Sequence, residues 1–272
     1  MRPGAAALCL AWAVVALAVR AAPVAFVADI RGAATIEGNG PLTFLAELPA
    51  GTRVLLGSNA SAAITYALSG AEYSMAGPGQ FLVGPTEVVA EKGTAPRRRA
   101  VAVLGDSTVV AKAAQTATAS LRMRGLQPVA APAMLEYPVA TKVSTLRPAL
   151  RWRAAPGEDY TVAVQDASGR EVWKGRGKAE GTRPDPALVA GARYSWTVTS
   201  ARGPAAEAQF ETLPQEAIRR AERSRGAAKS FGERVVHALL LQEVGADQEA
   251  REAWAGLARE RPDLPELPAL AR

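Results

Sequence analysis

The sequence is poor in the residue types that most often carry chemistry. Its 272 residues contain one cysteine, Cys9, and one histidine, His237. A single cysteine excludes an internal disulfide, and one thiol with one imidazole cannot supply the ligands of a typical zinc site. Cys9 also lies inside an apolar run, after Leu8, where lipid attachment is not expected. We therefore expect a fold that is stabilised by burial alone.

The chain also lacks a large charge of either sign. Its formal net charge of +6 is too small to indicate a nucleic-acid partner, although it allows a mild attraction to anionic surfaces. The glycine-rich loops that hold phosphates and the acidic loops that hold calcium are absent as well. The sequence therefore predicts no cofactor, no metal and no nucleic-acid partner.

The first 22 residues have the pattern of a secretory signal peptide. Arg2 supplies a basic start, residues 5–19 are uninterruptedly apolar, and Ala18 and Ala21 offer small residues for cleavage. This run is shorter than the roughly 20 residues that span a bilayer. We predict a signal peptide over 1–22, export of the chain, and a mature protein that has no cysteine and is not an integral membrane protein.

Residues 23–124 have the pattern of β structure. Short runs of valine, isoleucine, threonine and tyrosine alternate with glycine-containing turns. Ile64, Tyr66 and Leu68 alternate with other residues, so they are predicted to share one face of a strand. The segment 91–99 is predicted to be an exposed loop, and its run of three arginines is either solvated surface or a contact for a small anion or another surface.

Three motifs in this region resemble the FecR-like periplasmic β domain. They are IRGAATI at 30–36, LPAGTRV at 48–54 and GSNASAAITY at 57–66, followed by a Gly-Pro-Gly turn at 77–79. The chain departs from the family in having Ser-Gly-Ala at 69–71, where an Asp-Gly-Ser turn is frequent. The resemblance implies a bacterial periplasmic location and a FecR-like β domain over 23–124.

Classical members of that family relay a signal to a cytoplasmic sigma factor. This role needs a cytoplasmic segment before the apolar run, and only residues 1–4 precede it here. We therefore expect the resemblance to extend to the fold and compartment rather than to sigma-factor contact. A sensor that acts through a membrane partner stays an alternative.

A second β unit is predicted after a proline-rich linker at 125–141. Within 142–213, two sets of residues alternate on one face of a strand: Tyr160, Val162 and Val164, and Tyr194, Trp196 and Val198. The sequence LVAGARYSWTV at 188–198 resembles fibronectin type III and other immunoglobulin-like modules, which implies a β sandwich. Its tryptophans, Trp152, Trp173 and Trp196, are predicted to lie in the core, with an aromatic platform for a glycan as the alternative.

The final segment, 214–272, is predicted to be helical. Val236, Leu239 and Leu240 form an apolar stripe at helical spacing, and Trp254 belongs to a second stripe beyond Gly245. Two helices joined at a glycine resemble one tetratricopeptide-type hairpin. A single hairpin cannot bury its apolar face alone, so it must dock on another part of the chain, a second copy or a partner.

Two candidate catalytic residues and one candidate modification site are discounted. Ser107 follows Leu-Gly-Asp, as in GDSL-type hydrolases, but Arg234 occupies the position where that family has an aspartate three residues before its histidine. The chain also lacks the alternating strands and helices that such an enzyme needs. His237 is predicted to be a packing residue of its helix, and the glycosylation triplet at Asn59 has no role in a bacterium.

The combined prediction is a mainly β protein with a short C-terminal helical hairpin. Its function is predicted to be binding or scaffolding without catalysis in the bacterial envelope, with an envelope protein or a cell-wall polymer as partner. The alternatives are an envelope sensor and, more remotely, a GDSL-type hydrolase. No residue is singled out for binding.

Overall fold

The computed structural model describes residues 22–100, 135–153, 159–177, 181–200 and 206–272. Within these ranges the protein is mainly β, with four sheets and a helical C-terminal region. The predicted signal peptide and the candidate serine Ser107 lie outside the described residues. The helices in the described ranges are too short or too polar to cross a bilayer.

The first β unit consists of two five-stranded sheets. One sheet has the strand order β10-β7-β6-β1-β4 and the other β3-β2-β5-β8-β9. The strands are β1 Pro23–Arg31, β2 Ala34–Ile36, β3 Gly40–Pro41, β4 Glu47–Pro49, β5 Arg53–Leu56, β6 Ser61–Tyr66, β7 Ala71–Ala76, β8 Gly79–Val83, β9 Val88–Lys92 and β10 Arg97–Ala100.

The two sheets enclose one apolar core. Val27, Val54, Ile64 and Phe81 are all fully buried there, contributed by strands of both sheets. The chain passes from the first sheet to the second at Gly32, which has a φ of +73°. A side chain at Gly32 would also meet the backbone of residue 60 at 3.0 Å, so this corner requires glycine for two reasons.

Two predictions for this unit were wrong in detail. Leu68 does not share a buried face with Ile64 and Tyr66, because β6 ends at Tyr66 and the side chain of Leu68 is 67% exposed. A hydrogen bond from the N–H of Gly70 to the carbonyl of Tyr66 closes the turn that removes Leu68 from the strand. The segment 91–99 is not one loop: it contains the end of β9 and most of β10.

The second β unit combines a five-stranded sheet with a two-stranded sheet. The larger has the order β12-β17-β16-β14-β15, and the smaller pairs β11 with β13. The strands are β11 Leu135–Tyr137, β12 Thr141–Val143, β13 Arg151–Trp152, β14 Tyr160–Asp166, β15 Glu171–Gly177, β16 Arg193–Ser200 and β17 Ala206–Thr212. The linker predicted over 125–141 therefore already contains β11 and the start of β12.

In the second unit, the residues predicted to share one face of a strand do share one. The side chains at 160, 162 and 164 in β14 and at 194, 196 and 198 in β16 all point into one core. Trp152 and Trp196 are buried in it, whereas Trp173 is only partly buried at its margin. The core-packing prediction is therefore confirmed for Trp152 and Trp196.

The helical region has three long helices and a short one. They are α1 Gln215–Ala227, α2 Phe231–Glu243, α3 Asp247–Glu260 and α4 Leu267–Leu270. The predicted pair corresponds to α2 and α3, which are joined through Gly245 at a φ of +80°. The first helix, α1, extends the region beyond a hairpin.

The apolar faces of the helices dock on both β units. Leu239 and Trp254 pack in a cluster with Phe26 and Phe44 of the first unit. On another side, Ile218 and Leu241 pack with residues next to the second unit, including Leu213. Of the docking partners that the sequence left open, the structure therefore provides one within the chain, because the helices lie between its two β units.

Candidate functional site

The helical region is joined to the first β unit by a buried arginine. Arg261, directly after α3, is 3% exposed and donates hydrogen bonds to the carboxylate of Asp29 and, at 2.6 Å, to the carbonyl of Ile30. It also pairs with Asp263 and lies over the ring of Phe231. The hydrogen bonds from Arg261 lower the pKa of Asp263 to about 2. These contacts keep the guanidinium charge compensated away from water.

The same region is joined to the second β unit by a carboxylate. Glu249 in α3 accepts hydrogen bonds from the hydroxyl of Tyr137 and the backbone N–H of Ser144, both at 2.8 Å, and from the hydroxyl of Ser144. Burial and the adjacent Glu249 carboxylate raise the pKa of Tyr137. This carboxylate therefore connects α3 to both β11 and the chain that follows β12.

The contacts of α3 also cover the edge of the larger sheet. β12 is the last strand on this side, and the N–H of Lys142 donates to the carbonyl of Gly245 at 3.3 Å. The side-chain oxygen of Gln248 accepts a hydrogen bond from the N–H of Val139 at 2.7 Å. Unpaired strand edges invite association. Here the turn before α3 satisfies a backbone group of β12 that another strand would otherwise bind.

A polar cleft opens where this sheet edge meets the turn between α2 and α3. It has a volume of about 430 Å³ and is bordered by β12, β16, β17 and the residues around Gly245. The charged residues that line it are Lys142, Arg193, Glu211 and Asp247. Arg193 and Glu211 form an ion pair at 3.7 Å, and the side chain of Arg193 is 82% exposed.

The cleft carries charged groups that can bind a ligand. Its cations and carboxylates are accessible, so they can contact a ligand that carries both charges, such as a peptide segment. Its lining contains no pairing of a nucleophile with a base of the kind that covalent catalysis requires. In the part of the chain that the structure describes, no group of three or more histidine, cysteine, aspartate or glutamate residues could hold a metal ion.

The histidine predicted as a packing residue has a serine partner. Nδ1 of His237 in α2 lies 3.0 Å from Oγ of Ser224 in α1, and Ser224 is fully buried. Burial lowers the pKa of His237 to about 4, and the positive charge of Arg225 contributes. A substrate cannot reach the hydroxyl of Ser224, and the neighbouring charge is a cation rather than an orienting carboxylate. The pair therefore joins α1 to α2 and does not form a nucleophile and its base.

We predict that His237 makes the protein less stable in mild acid. Because the folded state has a lower pKa than the 6.5 of the free side chain, the unfolded state binds the proton first, and stability falls as the pH drops below 6.5. Between pH 7.5 and 5 this residue should lower the free energy of unfolding by about 2 kcal/mol. Urea unfolding of the wild type and of His237→Gln at both pH values measures this contribution as the difference in their pH dependence. Equal losses in the two proteins would contradict the prediction.

The remaining candidate residues of the sequence do not come together. The three arginines at 97–99 lie in β10 of the first unit, far along the chain from the cleft, and Asn59 lies in a turn of the same unit with a φ of +62°. The partly buried Trp173 lies in β15, at the opposite edge of its sheet from β12.

Sequence reasoning missed the residues that join the units. Arg261 and Glu249 belong to no hydrophobic repeat that could be read from the sequence. Each is a single polar residue whose partner in a β unit lies more than a hundred residues away. One local signal was readable. Ser230 and Glu233 form a capping box at the start of α2, and the spacing of serine and glutamate by three residues is its known signature.

Comparisons with models of known protein families, with curated proteins and with solved structures find no match for this chain.

Proposed function

We propose that this chain is an exported, non-catalytic binding or scaffolding protein of the bacterial envelope. In this proposal the first β unit is a FecR-like domain, the second an immunoglobulin-like module, and the helical region a tail related to a tetratricopeptide hairpin. A hydrogen bond from the N–H of Val189 to the hydroxyl of Tyr194, at 2.9 Å, supports the second assignment, because a similar tyrosine corner occurs in immunoglobulin-like sandwiches.

The observation that carries the proposal is the shared anchoring of the two β units. The buried Arg261 joins the helices to the first unit, and Glu249 joins them to the second. Both are buried or partly buried charged groups of the kind that catalytic sites use, and here both have structural partners. An arrangement that holds two β units at one helical region is what a scaffold requires.

We assign ligand binding to the cleft beside β12. It lies at the junction of the second unit with the helices, and such junctions are preferred places for ligand sites. Its accessible Lys142 and Arg193 stand close to the carboxylates of Glu211 and Asp247. The proposed ligand is a segment of an envelope protein or of a cell-wall polymer that carries charges of both signs.

The test uses the protein purified from the envelope fraction of cells that express the full chain. Retention on washed cell-wall sacculi and chemical crosslinking to envelope proteins are measured in parallel. The double variant K142E/R193E should weaken the interaction that the cleft makes by about tenfold, because it removes both cations from the cleft. The matched control is K174E/R176E, which reverses two cations on the exposed residues of β15 and should leave binding unchanged.

Other results of these experiments would favour one of the alternative functions. If neither sacculi nor an envelope protein is retained, the binding role is wrong. If the protein stays attached to the membrane with its N-terminal segment uncleaved, and crosslinks there to one membrane protein, the sensor function replaces the scaffold. If the purified protein hydrolyses esters and Ser107→Ala abolishes this activity, it is a hydrolase instead.

A further inference from the structure

The edge strand β10 carries three consecutive arginines. It consists of Arg97, Arg98, Arg99 and Ala100, and all four residues are exposed. Among the described strands its only neighbour is β7, so it ends its sheet. About half of the backbone N–H and C=O groups of an edge strand point away from the sheet and can pair with another strand.

The three arginines lie on both faces of the sheet. Arg98 is opposite Tyr73 of β7, which points into the core between the two sheets. Arg97 is opposite Ser74 and therefore lies on the other face, because successive residues of a strand alternate. Arg99 shares the face of Arg97. The backbone edge is thus flanked by guanidinium groups above and below.

The charges of Arg97 and Arg98 have no partner in the described part of the protein. No hydrogen bond or ion pair of either side chain is seen among the described residues, and both residues are exposed. Arg99 differs because it lies opposite Glu72, which is 4% exposed. Burial and the nearby Glu233 raise the pKa of Glu72, and the charge of Arg99 opposes that rise. Arg99 thus has an internal role, whereas Arg97 and Arg98 are free to contact a partner.

We propose that β10 binds an extended acidic peptide segment of a partner protein, which pairs with it as an additional strand. The backbone edge would hydrogen-bond to the segment, as in other cases of strand addition. Carboxylates on both faces of the segment would meet the arginines, which bind carboxylates in a bidentate manner. The inference rests on the proposed binding role but concerns a surface separate from the cleft.

The distribution of the charges favours a peptide strand over a membrane surface. A lipid surface is best contacted by cations on one face of a sheet. Another edge strand, β15, has that arrangement, because Lys174 and Arg176 are two residues apart. In β10 the cations alternate between faces. Only a partner that presents carboxylates above and below a shared strand plane matches this alternation directly.

The test measures fluorescence anisotropy with a short labelled peptide in which consecutive glutamates are flanked by valine and threonine. The wild-type protein should bind it, and the variant R97E/R98E should bind about tenfold more weakly, because two attractive contacts become repulsive. This variant leaves Arg99 in place beside Glu72, and both substitutions are at exposed positions, so the fold should persist. A thermal unfolding curve equal to that of the wild type confirms this.

Three controls distinguish the mechanisms. A peptide of the same sequence with N-methylated backbone should lose binding, because it cannot pair with a strand edge. The protein variants K174E/R176E and K142E/R193E should bind the peptide as the wild type does, so failure of the cleft proposal is distinguishable from failure of this one. Equal binding of the N-methylated peptide, or binding to phosphatidylglycerol vesicles without binding to the peptide, would overturn the inference.

Discussion

Replacing Arg261 with methionine is expected to lower the free energy of unfolding by about 3–5 kcal/mol. The substitution keeps much of the side-chain volume but removes the charge that compensates Asp29 and the donors that reach the carbonyl of Ile30. Both partners lie at the junction of β1 with the helices, where a lost partner is not fully replaced by water. Urea unfolding monitored by tryptophan fluorescence measures the effect, since Trp254 is buried in the same junction.

The matched control is Arg259→Met. Arg259 is exposed on the last turn of α3, two residues before Arg261, so the same chemical change should alter stability by less than about 0.5 kcal/mol. A double-mutant cycle with Asp29→Asn isolates the ion pair and should give a coupling of at least about 1 kcal/mol. If Arg261→Met lowers the free energy of unfolding as little as the control does, or if the cycle shows no coupling, Arg261 is not the anchor of the first unit.

Replacing Glu249 with alanine is expected to destabilise the second junction by about 3–4 kcal/mol. Three donors lose their shared acceptor: the hydroxyl of Tyr137, the N–H of Ser144 and the hydroxyl of Ser144. The tyrosine is buried, so its hydroxyl cannot simply turn to solvent. Unfolding in urea provides the free energy, and protease sensitivity near β11 reports whether this junction opens.

Glu252 is the control for this second prediction. It lies three residues further along α3, and its exposed carboxylate pairs with Arg151 of β13. An exposed ion pair contributes little, so Glu252→Ala should cost less than about 1 kcal/mol. Equal effects of the two alanine variants would show that Glu249 is one surface charge among others and does not hold the second unit to the helices.

The periodicity of apolar side chains predicted several elements of the fold. The strands β14 and β16 and the helices α2 and α3 lie where their patterns indicated, because a repeat of two or of three to four residues determines which face of an element is apolar. The first helix, α1, lies in the segment predicted to be helical but was not predicted as a separate helix, because only Ile218, Ala221 and Ser224 of its 13 residues are buried. Such a sparse stripe does not stand out from its charged surroundings.

Two short strands were also not predicted from the local sequence. β10 consists almost entirely of arginine, which by itself favours a solvated loop, and its strand geometry comes from pairing with β7. β11 is three residues long and lies next to prolines, yet it pairs with β13. In both cases the hydrogen bonds to a distant strand outweigh the weak local preference.

The sequence by itself determined the mainly β class, the buried tryptophans of the second β unit and the C-terminal helices, because the hydrophobic period of a strand or helix can be read from neighbouring residues. Only the tertiary structure decided that the helices lie between the two β units, that a cleft opens beside β12, and that β10 presents arginines on both faces of an edge. The position of the helices, for example, depends on the contact of Arg261 with Asp29, which lie 232 residues apart in the chain. A single polar residue is not part of a repeating pattern, so the sequence does not indicate its partner. The partner is defined only when the chain has folded.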